Sequence, residues 1–378
     1  MVFDNKKLIV FLLCLSNVTI SFNTVAVAAA IPLISRDLGL PDLTVAQIIP
    51  VYMLPYGFGA LLYAPLSRYF TYRRILIGAM LMYALACFVS GKSHSLAPIL
   101  IAQAFAGVAA ASSTPLSLMV IGDCFEKNIR GRMIGSYFGA SFLASVFGIF
   151  FMGTVSWTWL FLIPAVIGLL NVVLLMLFPT EALNRKHQGT INYGRAFLKI
   201  EIRNVFIFIF IISFLYHGVH KWYGVYLSQV YGFDQGIISA LLILAAIGGL
   251  AGQQIGGVLT DKRGRAFASY FGLVMLALGT MLLFGTYTSY FVVAVLTLTA
   301  VGWTICHNAI STFLTDFSDE DRPIAASLNS SVRFISGGLG FSLSKFFVAQ
   351  SFGMTFLVIG ILMILTGVYL KSFVFKQT

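Results

Sequence analysis

Several ionisable side chains lie inside long apolar segments of this sequence, where they could bind a ligand or exchange protons. In one such segment His217, His220 and Lys221 recur with Ser213 and Gly224 at spacings that place them on one face of a helix. An imidazole binds and releases protons near neutral pH, and a lysine ammonium binds anions or loses its proton when desolvated. This face therefore predicts a site for proton exchange, for anion binding, or for both.

Two later apolar segments carry further polar side chains. Trp303, His307 and Asn308 cluster in one of them, and Asn329 and Arg333 share a helical face in the next. An arginine keeps its charge in proteins, so Arg333 needs water, carbonyl oxygens or an anion as its counter-charge. None of the 13 acidic residues lies deep in an apolar segment. The sequence therefore predicts an electropositive site whose ligand is anionic at least in part.

Neutral polar side chains occupy the apolar segments of the first half. We expect Asn17, Asn23 and Gln103 to orient a bound ligand by hydrogen bonds. A structural alternative stays open for all these residues, because buried polar groups also join helices to one another and a lysine can extend to the membrane surface. The complete set predicted for substrate binding or coupling is Asn17, Asn23, Gln103, His217, His220, Lys221, Trp303, His307, Asn308, Asn329 and Arg333.

The composition indicates what kind of helix must hold these residues. Of the 378 residues, 59% are hydrophobic and only 10% are charged, and the mean hydropathy is +0.92. A water-soluble domain has about a quarter of its residues charged, so the solvent for this chain is a lipid bilayer. A helix that crosses the bilayer needs about 20 apolar residues.

Twelve runs of this kind occur, and we number them spans 1 to 12. They predict an all-α membrane protein of twelve transmembrane helices in two groups of six. The spans are 8–34, 44–66, 75–92, 96–121, 132–154, 157–178, 204–229, 235–258, 266–286, 289–314, 324–348 and 351–372.

The distribution of charge predicts the topology. The net charge is +11, and most of the 24 Lys and Arg residues fall in alternate loops on the side of the N-terminus. By the positive-inside rule, both termini are cytoplasmic in a plasma (inner) membrane, and the basic charge needs no nucleic-acid partner. The polar segment 179–203 predicts a cytoplasmic linker between an N-terminal bundle, 1–178, and a C-terminal bundle, 204–378.

Several function classes lack their motifs. The four cysteines have no CxxC spacing, which leaves no thiolate metal site or disulfide framework to predict. No HExxH motif occurs, and no GxxxxGK[ST] loop for an ATP-driven pump occurs either. We therefore expect no metal, no cofactor and no enzyme activity, although a polytopic membrane enzyme stays an alternative.

Two loops at equivalent places in the two halves form an internal repeat. The residues between spans 8 and 9 read Gly257-Val-Leu-Thr-Asp261-Lys262-Arg263-Gly264-Arg265, which resembles the loop signature of the major facilitator superfamily. The run Asn23-Thr-Val-Ala-Val-Ala-Ala-Ala-Ile-Pro32 is similar to the first span of its drug and metabolite efflux branches. Gln103 stands where the fourth-span motif usually has Arg.

The first-half loop departs from the family pattern. It carries Arg68 where the family has Asp and Thr71 where it has Gly, and span 5 lacks the Gly-Pro typical of antiporters. We therefore predict a gate of reversed polarity, in which the basic loop pairs with the acidic loop before span 11, with a merely solvated run of charges as the alternative. The predicted gate residues are Arg68, Arg73, Arg74, Gly257, Asp261, Lys262, Gly264, Arg265, Asp316, Asp319 and Glu320.

The resemblance implies a secondary active transporter of small solutes that works by alternating access. It implies two six-helix bundles with a cavity at the membrane midplane, lined by spans 1, 4, 7 and 10. Efflux of a metabolite or drug-like compound is the expectation, with proton coupling left open. The alternatives are uptake or export of an organic anion bound by Lys221 and Arg333, and a transporter-like receptor. The expected partners are a small solute, protons and membrane lipid, and the expected state is a monomer.

Overall fold

The computed structural model describes residues 6–125, 127–186, 192–317 and 322–375. The secondary structure within these ranges is helical and contains no strand. The chain forms two compact units, Met1–Ile191 and Asn192–Thr378.

The first unit contains ten helices. In chain order they are α1 Lys6–Thr24, α2 Ala26–Ala29, α3 Ile31–Leu38, α4 Asp42–Val45, α5 Ile48–Leu66, α6 Tyr72–Lys92, α7 Leu96–Ala110, α8 Ser113–Cys124, α9 Lys127–Thr154 and α10 Trp159–Leu177.

The second unit contains eight α-helices and ends in a π-helical turn, Leu370–Val374. The helices are α11 Tyr193–Leu198, α12 Ile200–His220, α13 Tyr223–Tyr231, α14 Gln235–Arg263, α15 Arg265–Leu282, α16 Ser289–Thr315, α17 Arg322–Val348 and α18 Phe352–Tyr369. Helix α12 begins at Ile200, inside the segment predicted as linker.

Eleven helical segments of the described residues are long and apolar enough to cross a membrane. The remaining predicted span corresponds to α17, which has 27 residues and is therefore long enough. Its apolar character is weaker because it carries Arg333, Lys345 and several serines. The fold is that of an all-α membrane protein with twelve spanning helices, as the sequence predicts.

Three of the spans predicted as continuous helices are broken near their middle. Span 1 is divided between α1, α2 and α3, and span 4 between α7 and α8. Pro32 explains the break at Ala30 and Pro115 the break at Ala111, because proline has no N–H and its ring collides with the carbonyl four residues earlier. Span 7 breaks at Lys221, which follows the last residue of α12, so its polar face does not continue into α13 as one straight stripe.

The closest helix contacts repeat between the two units. In the first unit, a side chain added at Gly148 of α9 would overlap the carbonyl of Phe22 in α1. In the second, a side chain added at Gly340 of α17 would overlap the carbonyl of Phe214 in α12. Gly148 precedes Gly340 by the same number of residues as Phe22 precedes Phe214. Glycine thus allows equivalent helix pairs to approach closely in both units.

Candidate functional site

The predicted residues of the second unit come from three packed helices. Helix α12 carries His217 and His220, with Lys221 directly after its end, helix α16 carries Trp303 and His307, and helix α17 carries Asn329 and Arg333. Tyr216 and six of these side chains form a set of contacts that links the three helices. The six are His217, His220, Trp303, His307, Asn329 and Arg333.

Planar groups stack into a column across these helices. The rings of Tyr216 and Trp303 lie 3.7 Å apart and within 2° of parallel. The His220 ring stacks on Tyr216 at 4.8 Å and 18°, and the Arg333 guanidinium lies 5.7 Å from the centre of the Trp303 ring. Two groups cannot share one ring face at these distances, so the order is His220, Tyr216, Trp303, Arg333. We call this set the aromatic column.

Arg333 is held at the end of the aromatic column. Its Nε donates a 2.7 Å hydrogen bond to Oδ1 of Asn329, one helical turn earlier. The residue is only 8% exposed. Among the described residues, no carboxylate lies within salt-bridge distance of Arg333, and every Asp and Glu of the described helices falls in a first or last turn.

The histidines surround the column. His217 packs its edge against Tyr216 at 5.1 Å and Trp303 at 5.9 Å, and His307 lies 5.6 Å from Trp303. Nδ1 of His217 lies 2.8 Å from the carbonyl oxygen of Ser213. A carbonyl oxygen only accepts, so Nδ1 carries a hydrogen and Nε2 is the nitrogen left to take up a proton.

Lys221 lies inside the protein and not against lipid. It is 5% exposed, which disagrees with the alternative that its side chain extends to the membrane surface. The next residue, Trp222, donates from Nε1 to Oγ of Ser344 at 2.8 Å and stacks on Phe341 at 4.3 Å. These contacts with α17 hold the break in span 7, and with it Lys221, in place.

Tyr216 is the member of the column that the sequence analysis missed. It is 7% exposed and contacts both histidines and Trp303. The sequence could have indicated Tyr216, because it lies four residues before His220 on α12 and residues four apart share a helical face.

The three predicted residues of the first unit join helices of their own unit. Asn17 donates to the carbonyl of Tyr137 at 3.1 Å, and Gln103 donates to Oγ of Ser90 at 2.9 Å. Both of these residues and Asn23 are buried.

Asn23 accepts a 2.9 Å hydrogen bond from the hydroxyl of Tyr83 and lies 3.8 Å from the Cys87 sulfur. In the second unit, Asn308 is similarly occupied, because it donates to the carbonyl of Gln253 on α14 at 2.9 Å and accepts from Thr312. These contacts favour the structural alternative for the neutral polar residues.

Three of the predicted gate residues have partners inside their own unit. Arg265 forms a two-point ion pair with Asp316, at 3.0 and 3.2 Å. Arg73 donates from Nε to the carbonyl of Leu175 and from Nη2 to that of Met176, both at 2.7 Å.

The other gate residues of the described chain are four exposed charged residues and two glycines. Arg68, Arg74, Asp261 and Lys262 are exposed, and Gly257 has room around its Cα. Gly264 has φ +87°, a conformation that favours glycine between two helices. The remaining two predicted residues, Asp319 and Glu320, lie outside the described residues, so pairing of the basic loop with the acidic loop stays a prediction.

We expect Arg73 to stabilise the first unit by capping α10. Its two hydrogen bonds satisfy carbonyls in the last turn of that helix, where no intrahelical donor is available. Arg73→Gln should lower the free energy of unfolding, measured in mixed micelles, by about 1–2 kcal/mol. Arg74→Gln is the matched control because Arg74 is exposed. Equal stability of the two variants would contradict the capping role.

The fold and the site together define a polytopic helical membrane protein with a buried cationic cluster. The family model of the Major Facilitator Superfamily matches residues 13–341 and 225–377. The chain belongs to that superfamily, whose members are transporters and not enzymes.

Individual relatives are distant. The chain is 26% identical over 196 residues to multidrug resistance protein 3 of Bacillus subtilis, which covers 51% of this chain and 38% of that protein. The first three curated relatives are matched over only 31% to 38% of their length.

Solved structures match the fold over nearly the whole chain. The D-xylose-proton symporter has a TM-score of 0.79 at 14% identity, over 97% of this chain and 98% of that one. The human organic anion transporter MFSD10 has a TM-score of 0.71 at 12% identity, over 96% and 99% of the two chains.

Proposed function

We propose that this protein is a secondary active transporter that moves a small solute by alternating access. The single observation that carries the solute's nature is Arg333, a buried cation on α17 that has no carboxylate partner among the described residues. Burial of an unpaired charge is costly, so a cation of this kind is kept where it meets water or an anion. The solute, or part of it, is therefore anionic.

Export of a metabolite or drug-like compound is the proposed direction. It rests on the similarity to a relative named as a multidrug resistance protein and on the first-span pattern that begins at Asn23. Uptake or export of an organic anion is the second candidate, favoured by the positive charges of Lys221 and Arg333. The proposed setting is the plasma membrane, with both termini in the cytoplasm, lipid around the helices and the monomer as the working unit.

Protons, where they drive transport, need a carrier other than a buried carboxylate. His217 is the proposed carrier, because its Nε2 is open to a proton while Nδ1 stays bonded to Ser213. The titratable and charged groups around it are His220, Lys221, His307 and Arg333. A proton on His217 would strengthen anion binding, and its release would weaken it.

The test is a solute screen in proteoliposomes with and without an imposed pH gradient. We expect at least one anionic solute to accumulate only when the gradient is present. His217→Asn keeps a donor for Ser213 but has no second nitrogen, so it should retain exchange of that solute and lose the gradient-driven accumulation. His94→Asn, in an exposed loop, is the matched control. A protein that binds solutes and moves none would be a receptor instead.

A further inference from the structure

The Arg333 guanidinium has hydrogen-bond donors that are not used within the described structure. Its Nε is bonded to Asn329, whereas its two terminal nitrogens, Nη1 and Nη2, have no hydrogen-bond acceptor among the residues that the structure describes. Neither of these nitrogens is sealed from solvent in the described structure, because neither is among the fully buried polar atoms that lack a partner. Arg333 is 8% exposed and has four unused N–H donors that solvent can reach, so an acceptor of a ligand can bind there in place of water.

The same guanidinium is already oriented before a ligand arrives. Asn329 fixes the Nε side, and the Cζ atom of the guanidinium lies over the Trp303 ring, 5.7 Å from its centre. Tyr216 covers the far face of Trp303 and prevents that ring from turning freely. Groups held in this way lose little conformational entropy on binding, so the terminal nitrogens form a prepared two-point fork.

We propose that the fork binds a planar carboxylate of the solute through Nη1 and Nη2, and that the body of the solute is aromatic. This inference rests on the proposed function, in that the ligand is taken to be the transported solute. Two parallel N–H donors match the two oxygens of a carboxylate. The Trp303 ring lies 5.7 Å from the guanidinium, and the rings of His217 and His307 pack against Trp303. Arg333 is therefore close to a cluster of rings, and an aromatic body gains by packing against such rings.

Asn329 and Trp303 are positioning residues in this site. Both contact Arg333 and orient it. Lys221 directly follows His220, which is at the other end of the aromatic column, so the fixed charge at the fork itself is that of the guanidinium. One positive charge matches a monoanionic carboxylate better than a phosphate dianion. The proposed ligand is therefore an aromatic monocarboxylate.

The test is equilibrium binding to the purified full-length protein in detergent, without any gradient. The probes are benzoate, 4-hydroxybenzoate and indole-3-acetate, compared with benzyl alcohol and phenyl phosphate. We expect at least one carboxylate to bind about tenfold or more tightly than either comparison compound, because a charged hydrogen-bond pair is worth about 1.5–3 kcal/mol. The absence of carboxylate binding, or a preference for phenyl phosphate, would overturn the inference.

Substitutions separate a fork from a simple positive charge. Arg333→Lys keeps the charge but loses the two-point geometry, so affinity for the carboxylate should fall about tenfold or more. Arg263→Lys is the matched control, because Arg263 lies over the Phe267 ring at 5.6 Å at the end of α14 and outside this site. Unchanged carboxylate affinity in Arg333→Lys would rule the fork out.

The positioning role has its own readout. Asn329→Ala should lower carboxylate affinity several-fold without changing the affinity for benzyl alcohol, so the ratio of the two affinities falls. A general loss of structure would lower both affinities, and an unchanged ratio in a folded variant would overturn the positioning role. These binding measurements need no transport, so the two proposals can fail separately. If the protein binds carboxylates but does not transport them, the fork is supported and the proposed transport function is contradicted. If the protein transports a solute but does not bind carboxylates, the transport function is supported and the fork is contradicted.

Discussion

Arg333→Gln is expected to reduce transport of an anionic solute by at least about thirtyfold, because removing one partner of a buried charged contact costs about 2–5 kcal/mol. The substitution removes the positive charge and keeps a shorter polar side chain. Lys221→Gln should act in the same direction, since Lys221 is 5% exposed and lies beside the same histidines. The measurement is kcat/KM in proteoliposomes, once a transported anion has been identified.

The comparison needs a folded protein and a neutral solute. Each variant should insert normally and keep its thermal stability in detergent, and Lys92→Gln, at an exposed position at the end of α6 and outside both the predicted site and the predicted gate, is the charge control. Transport of a neutral solute should be changed little. Transport of the anion at wild-type affinity in both Arg333→Gln and Lys221→Gln would show that neither cation binds it. A neutral, drug-like solute would then be the better proposal.

Gly148→Ala is expected to disrupt the packing of the first unit. The added methyl group would overlap the backbone carbonyl of Phe22, and a backbone atom cannot move aside as the end of a flexible side chain can. The helices α1 and α9 must then separate, which costs about 3 kcal/mol by comparison with other overpacked interiors. We expect a large loss of folded protein, measured as yield in the membrane and as unfolding in mixed micelles.

The matched control for this substitution lies on the same helix. At Gly139 of α9, no atom of another residue lies within 4 Å of the position that an added methyl group would take. Gly139→Ala should therefore leave stability unchanged or raise it slightly, because alanine favours helix more than glycine does. Comparable destabilisation by both substitutions would mean that helix flexibility, and not close packing, explains Gly148. The equivalent contact of Gly340 with Phe214 predicts the same loss in the second unit.

The sequence by itself determined the class of fold and the membership of the family. Apolar runs, charge at their ends and the loop that begins at Gly257 are local features, and their meaning does not depend on which helices pack together. Even α17, whose apolar character is weakened by Arg333, Lys345 and several serines, is predicted as span 11 from its apolar run. The ionisable residues inside the spans can be identified from the sequence as well, because their position within an apolar run is also a local feature.

Only the tertiary structure decided what those residues contact. The column that joins His220 and Tyr216 of α12 to Trp303 of α16 and Arg333 of α17 brings together parts of the chain more than a hundred residues apart at its ends. Arg73, for which the sequence predicts a gate role, caps α10 within its own unit, and its part in a gate stays a prediction. Partners of this kind depend on how distant helices approach, and helix periodicity specifies a face without naming the neighbour that covers it.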